Sequence, residues 1–126
     1  MSSKIFPDAK HPETIVFRDY TPKQLIEHDG RTLDTKIFLG IRGKVYDVSK
    51  GRNFYGPEGM YGNFAGRDAS RGLAKNSFDL EMLTPIDQPL DTLEDLTEEE
   101  INSLNDWHGH FENKYGCIGN LVNDTT

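Results

Sequence analysis

The sequence predicts an α+β fold, a small sheet with flanking helices, and three observations carry that prediction. Two short runs rich in β-formers, Lys36 to Ile41 and Lys44 to Ser49, are separated only by Arg42-Gly43, which reads as a hairpin. Thr21 with Gln24, and Thr97 with Glu100, each place a threonine three residues before a side chain that can close a capping box. Between the hairpin and the second of those helices lies KGRNFYGPEGMYGNFAGRDASRGLA, Lys50 to Ala74, where glycines, aromatics and cations are denser than anywhere else in the chain.

Taken in order, residues 1–16 hold Pro7 and Pro12 without sustained periodicity, and so are expected to form a poorly ordered tail in which His11 faces solvent. The first helix starts at Thr21 with Pro22 at its first turn, stops at Asp29-Gly30, and sends Leu25 and Ile26 to the core. His28, in its last turn, reads as a helix C-terminal cation or a surface residue. The second hairpin strand runs straight into the glycine-rich stretch, so the sheet fixes how that loop enters. Asp68 is expected to cap a short helix over Ala69 to Lys75.

From Asn76 to about Leu96 the chain is acidic and contains Pro85 and Pro89, which predicts a short helical turn near Leu80 to Leu83 and then an extended wrapping segment. After Thr97, the residues Ile101, Leu104, Trp107, Phe111 and Tyr115 follow at steps of three and four, one face of an amphipathic helix. His108 and His110 are two apart and point to different sides of that helix, which argues against paired metal ligation. A short strand over Cys117 to Val122 closes a single domain of residues 17–122, and 123–126 read as a second tail.

Length and composition exclude several function classes. A chain of 126 residues, 35% hydrophobic, supports one modest core. The single cysteine, Cys117, excludes an internal disulfide, a cysteine cluster for zinc or iron–sulfur, and covalent haem attachment, and it fits a reducing compartment. The N-terminal stretch never exceeds three consecutive apolar residues, so it offers neither a secretory signal nor a transmembrane segment. The expected setting is cytoplasmic. Residues 1–75 carry thirteen Lys/Arg against nine Asp/Glu, whereas residues 76–126 carry one against twelve. That acidic half argues against nucleic acid and would steer a partner with a basic surface, although an acidic face also simply keeps a domain soluble.

The glycine-rich stretch holds Gly51, Gly56, Gly59, Gly62 and Gly66 within sixteen residues, interleaved with Phe54, Tyr55, Tyr61 and Phe64. It matches neither a P-loop nor a dinucleotide fingerprint. Two readings remain: an ordered surface loop with aromatic plugs, or a pocket in which bare backbone comes close to a flat ligand and the rings pack against it.

The string IRGKVYDVSKGRNFYGPEGMYGNFAGRDASRGLA, Ile41 to Ala74, resembles the core of the membrane-associated progesterone receptor component family, including its fungal damage-resistance branch. The likeness extends from about Phe17 through Leu121. The resemblance implies a cytochrome b5-like fold and a non-covalent b-type haem. An ordinary cytochrome b5 holds iron with two histidines, one in a His-Pro-Gly-Gly loop, and that motif is missing here. In the family the iron ligand is the tyrosine at the Tyr61 position, with Tyr115 as its rival in this chain. A free phenol has a pKa of about 10, so tyrosinate needs the ferric charge and nearby donors. The candidates for that support are Lys50, Tyr55, Lys114 and Tyr115. Gly56, Phe54, Phe64, Ala65, Ser70 and Leu73 are expected to form pocket walls, and Met60 to pack within the loop.

The same resemblance implies a non-enzymatic module that associates with cytochrome P450 enzymes of sterol biosynthesis and sits peripherally at the endoplasmic reticulum. A phenolate ligand favours ferric iron, which works against the alternative of an electron carrier. One protein ligand leaves the other haem face open for stacking in a homodimer or for a small ligand. Catalase-like chemistry needs a histidine over the haem, and no histidine lies in or beside the loop in sequence. A second alternative is a steroid-binding protein that uses the glycine-rich cleft.

Overall fold

The computed structural model describes residues 16–124. The expectations for residues 1–15, including His11, and for the last two residues lie outside the described part. The elements run β1 (Arg18–Tyr20), α1 (Pro22–Leu25), β2 (Phe38–Ile41), β3 (Lys44–Asp47), α2 (Arg52–Tyr55), α3 (Ser70–Lys75), α4 (Glu98–Lys114) and β4 (Gly116–Leu121), with short 3₁₀ turns between them. One four-stranded sheet has the order β1-β4-β3-β2, in which only the β1–β4 pair is parallel.

The hairpin forms as its sequence predicts. Ile41 pairs with Lys44, and Arg42 and Gly43 take φ of 49° and 80°, the positive values that match a tight turn to the twist of the strands. The strand β1 was not predicted. Its three residues are mostly exposed, and it exists because Arg18, Asp19 and Tyr20 pair with Gly119, Asn120 and Leu121 at the far end of the chain. A residue with a Cβ at position 119 would collide with the carbonyl oxygen of Arg18, so the pairing depends on glycine.

Both capping boxes are present: Thr21 with Gln24 starts α1, and Thr97 with Glu100 starts α4. Each cap of this kind is worth about 1 kcal/mol. Leu39, Ile41 and Tyr46 of the hairpin, with Ile37 and Val48 at its ends, join Phe64, Leu73, Leu104, Phe111 and Tyr115 in the main core. On α4, Leu104 and Phe111 are buried and Trp107 is partly buried, but Ile101, expected on the same face, is 37% exposed. A second cluster, Tyr20, Leu25, Phe38, Val45, Ile118 and Leu121, holds β1 and α1 to the sheet.

Three further expectations are corrected. Helix α3 begins at Ser70, with Ala69 as its N-cap and no side-chain cap; Asp68 instead accepts from the Ser70 amide at 3.1 Å and the Ser70 hydroxyl at 2.6 Å. His28 does stand in the last helical turn before Asp29, but it is half-buried rather than on the surface: its ring stacks on Phe38 at 4.0 Å and its Nδ1 donates to the Lys36 carbonyl at 2.9 Å. Met60 is 71% exposed and so does not pack within the loop.

The acidic connection contains the expected 3₁₀ turn, Leu80–Met82, and then wraps without regular structure. It is tied down by two cations that precede it, Arg67 and Arg71. Arg67 donates to the Thr84 carbonyl at 2.7 Å, and Arg71 grips Asp91 through Nε at 2.5 Å and Asp95 through Nη2 at 2.7 Å. Among the described residues no helix is long and apolar enough to cross a membrane.

Candidate functional site

The loop after β3 is folded by its own glycines. Gly59 donates to the Gly56 carbonyl at 2.9 Å, and a Cβ on residue 59 would collide with the carbonyl oxygen of Phe54. A Cβ on residue 62 would lie 2.6 Å from the carbonyl oxygen of Gly56. These close approaches coil the chain tightly enough for the Tyr61 amide to donate to the Phe54 carbonyl at 2.8 Å. The Tyr61 ring is then fixed by an edge-on contact with Phe78 at 4.8 Å and by packing on Tyr55 at 5.7 Å and Phe64 at 6.4 Å.

Opposite the loop stands α4, and between the two lies an open cleft of about 520 Å³. Phe54, Tyr55 and Tyr61 line its loop wall. Ser103, Asp106, Trp107, His110 and Lys114 line its helix wall, and Tyr115 follows at the end of the helix. Spacings of three and four put the helical residues on one stripe. The Tyr55 and Tyr115 rings meet edge to face at 6.2 Å and join the walls, and Lys114 Nζ lies 5.8 Å from the centre of the Tyr115 ring.

The phenols of the cleft differ in setting. Burial first, and then the neighbouring Tyr115 and Tyr61, push the Tyr55 hydroxyl well above the ordinary phenol range. Burial raises Tyr115 as well. Both are therefore neutral O–H groups at ordinary pH. Tyr61 is only half-buried.

Five of the expected site residues, Phe54, Tyr55, Tyr61, Lys114 and Tyr115, are thus brought to one cleft. The others lie elsewhere. Phe64 is fully buried behind Tyr61, and Ala65 and Leu73 belong to the core. Gly56 is buried within the loop turn. Ser70 is 1% exposed, and its hydroxyl accepts from the Arg42 amide at 2.8 Å. Lys50 is exposed on the 3₁₀ turn before α2 and does not line the cleft.

Sequence reasoning missed Phe78, Ser103, Asp106 and His110. It assigned Trp107 to the core alone, whereas Trp107 both packs on that core and lines the cleft. The two histidines of α4 do diverge: His108 Nε2 bonds the Tyr46 hydroxyl at 2.8 Å, and His110 faces the cleft. No group of three or more His, Cys, Asp or Glu side chains among the described residues could hold a metal ion.

A haem would need a cleft of ligand size, aromatic walls and a donor for iron. The volume falls within the roughly 300–1,000 Å³ of typical ligand sites, the rings of Phe54, Tyr61 and Trp107 supply the walls, and the Tyr61 phenol supplies the donor. The residues fit.

This fold and cleft place the chain in a known class: it belongs to the cytochrome b5-like heme/steroid binding domain family, whose model matches residues 21–121. Among its relatives is the cytochrome P450 regulator dap1 of Schizosaccharomyces pombe, 47% identical over 122 residues that cover 96% of this chain and 73% of that protein. The human membrane-associated progesterone receptor component 2 is 44% identical over 105 residues, 83% of this chain but only 45% of the human protein's length. A solved structure of an Arabidopsis thaliana protein described as having a cytochrome b5 like fold superposes with a TM-score of 0.73 at 42% identity, covering 90% of this chain and 98% of that one. The expected fold is therefore the observed one.

Proposed function

We propose that this protein is a non-enzymatic haem-binding module that holds ferric haem through the Tyr61 phenolate and docks on cytochrome P450 enzymes, including those of sterol synthesis. The observation that carries the reading is the convergence of Tyr55, Tyr61, Lys114 and Tyr115 on one aromatic cleft in a chain of this family. When bound, haem would supply a ferric centre whose positive charge stabilises a phenolate. Tyr61 is favoured over Tyr115 as its ligand because burial opposes the anionic form of Tyr115. Tyr115, Tyr55 and Lys114 instead serve as donors and packing around the occupant. An oxygen ligand of this kind lowers the potential and sets the module apart from an electron carrier.

Docking is supported by the similarity to a protein named as a P450 regulator and by the acidic second half of the chain. Glu98 and Glu99 project freely from the first turn of α4, whereas Glu100 closes the capping box and pairs with Lys75 at 2.9 Å. The informative variant is therefore Glu98→Lys with Glu99→Lys, leaving Glu100 in place. Weakened co-precipitation of a microsomal P450, more so at low salt, supports this docking face; unchanged association at every salt concentration contradicts it.

A second reading is a steroid site, favoured by the apolar faces of Phe54 and Trp107 in the cleft and by the family's description. It predicts that steroid binding survives removal of haem. Steroid binding that haem neither displaces nor requires would move this reading ahead of the first.

A further inference from the structure

All the charge on the cleft wall comes from α4. The loop wall contributes Phe54, Tyr55 and Tyr61, whereas the helix contributes Asp106, His110 and Lys114 at successive steps of four. At that spacing the three side chains stand one above another, so the wall runs from a carboxylate through an imidazole to an ammonium. His110 is exposed at the cleft mouth, with its ring edge-on to Trp107 at 5.9 Å and to Phe111 at 5.8 Å. Neither of its nitrogens has a hydrogen-bond or ion-pair partner among the described residues, and Lys114 Nζ has no ion-pair partner among them either.

Resting on the haem reading above, we propose that His110 and Lys114 form a two-point grip for a carboxylate of the cleft's occupant. The class of ligand so defined is a flat, apolar ring system that carries carboxylates at one edge. Two N–H donors one helical turn apart, neither hydrogen-bonded nor ion-paired among the described residues, match an anionic edge at the cleft mouth, where the carboxylate keeps part of its hydration. The carbonyl end of α4 alone would repel an anion there, and Lys114 offsets that field. Asp106, one turn the other way, disfavours the reverse orientation. The wall thus selects both the presence of a carboxylate and the direction in which it points. A neutral steroid has no group for this grip.

The test compares binding of ferric protoporphyrin IX with binding of its dimethyl ester, in wild type, His110→Ala, His110→Leu and His110→Gln. The position is exposed on a helix, so these variants keep the fold. Loss of one charge-assisted hydrogen bond, discounted for exposure, corresponds to weakening of the diacid by about fivefold in His110→Ala and His110→Leu. Ester binding stays unchanged, and His110→Gln, which keeps an N–H donor, recovers most of the loss. Equal weakening of acid and ester, or rescue by the bulk of leucine, would assign His110 to packing and overturn the proposal. Unaltered diacid binding in every variant overturns it too while leaving the haem reading intact. Wild-type protein that binds neither porphyrin overturns both.

Discussion

A Cβ on residue 51 would stand 2.6 Å from the hydroxyl oxygen of Tyr115, so Gly51 and Tyr115 are fitted to one another across the junction of loop and helix. The same Cβ would come within 3.0 Å of the Tyr55 ring. Gly51→Ala must therefore displace one or both phenols that close the inner end of the cleft. The expected cost is about 1–3 kcal/mol of stability, the range for overpacking a filled site. Haem affinity is expected to fall with it. Denaturant unfolding and a haem titration of the same variant check the two effects, and a variant with wild-type values in both would show that the rings yield freely.

Arg71 is the tether of the acidic connection. Its Nε and Nη2 reach Asp91 at 2.5 and 2.9 Å, and its Nη1 and Nη2 reach Asp95 at 3.1 and 2.7 Å. Hydrogen bonding to the guanidinium holds the Asp91 carboxyl below the usual carboxylate range. A depressed folded-state pKa contributes stability above the unfolded value, about 3.9, and that stability is lost as pH falls through the folded value. Arg71→Ala is expected to cost about 1–3 kcal/mol at pH 7. The gap between variant and wild type should close as pH drops below about 4. Urea denaturation at several pH values measures it.

Tyr46 gives the opposite sign at the alkaline end. Burial first, then the nearby Cys117 and Glu112, push its hydroxyl up to about 12. A raised folded-state pKa contributes stability that is complete below the unfolded value of about 10 and is lost as pH rises through the folded one. Wild type should lose up to about 2–3 kcal/mol between pH 10 and 12 that Tyr46→Phe does not lose. At neutral pH Tyr46→Phe should cost about 1 kcal/mol, through the lost 2.8 Å bond to His108. Parallel pH-dependent unfolding of both proteins tests this.

Most of the fold was legible because its signals are local. The capping boxes at Thr21 and Thr97, the Arg42-Gly43 turn and the helical spacing through Leu104 and Phe111 each act within a few residues. The strand β1 was not, because Arg18–Tyr20 gains its structure from Gly119–Leu121, about a hundred residues away. The site divides in the same way. Tyr55 and Tyr61 announce themselves in the loop, but His110 enters the cleft only once α4 folds back over it. Its position four residues before Lys114 was the available signal. Asp68 was misread as the cap of α3 because an aspartate just before a short helix has the look of one, and Ser70 was expected in the pocket wall. The fold uses them instead to bond the Arg42 amide at the hairpin turn, with Ser70 donating in turn to Asp68.

Tyr61 as the iron ligand is tested most directly by the absorption spectrum of the protein titrated with ferric haem, for wild type, Tyr61→Phe and Tyr115→Phe. A high-spin tyrosinate spectrum that disappears in Tyr61→Phe and persists in Tyr115→Phe, with weaker binding, is the predicted result. Loss of that spectrum in Tyr115→Phe alone would move the ligand to the helix, and a wild type without specific haem binding would contradict the account outright.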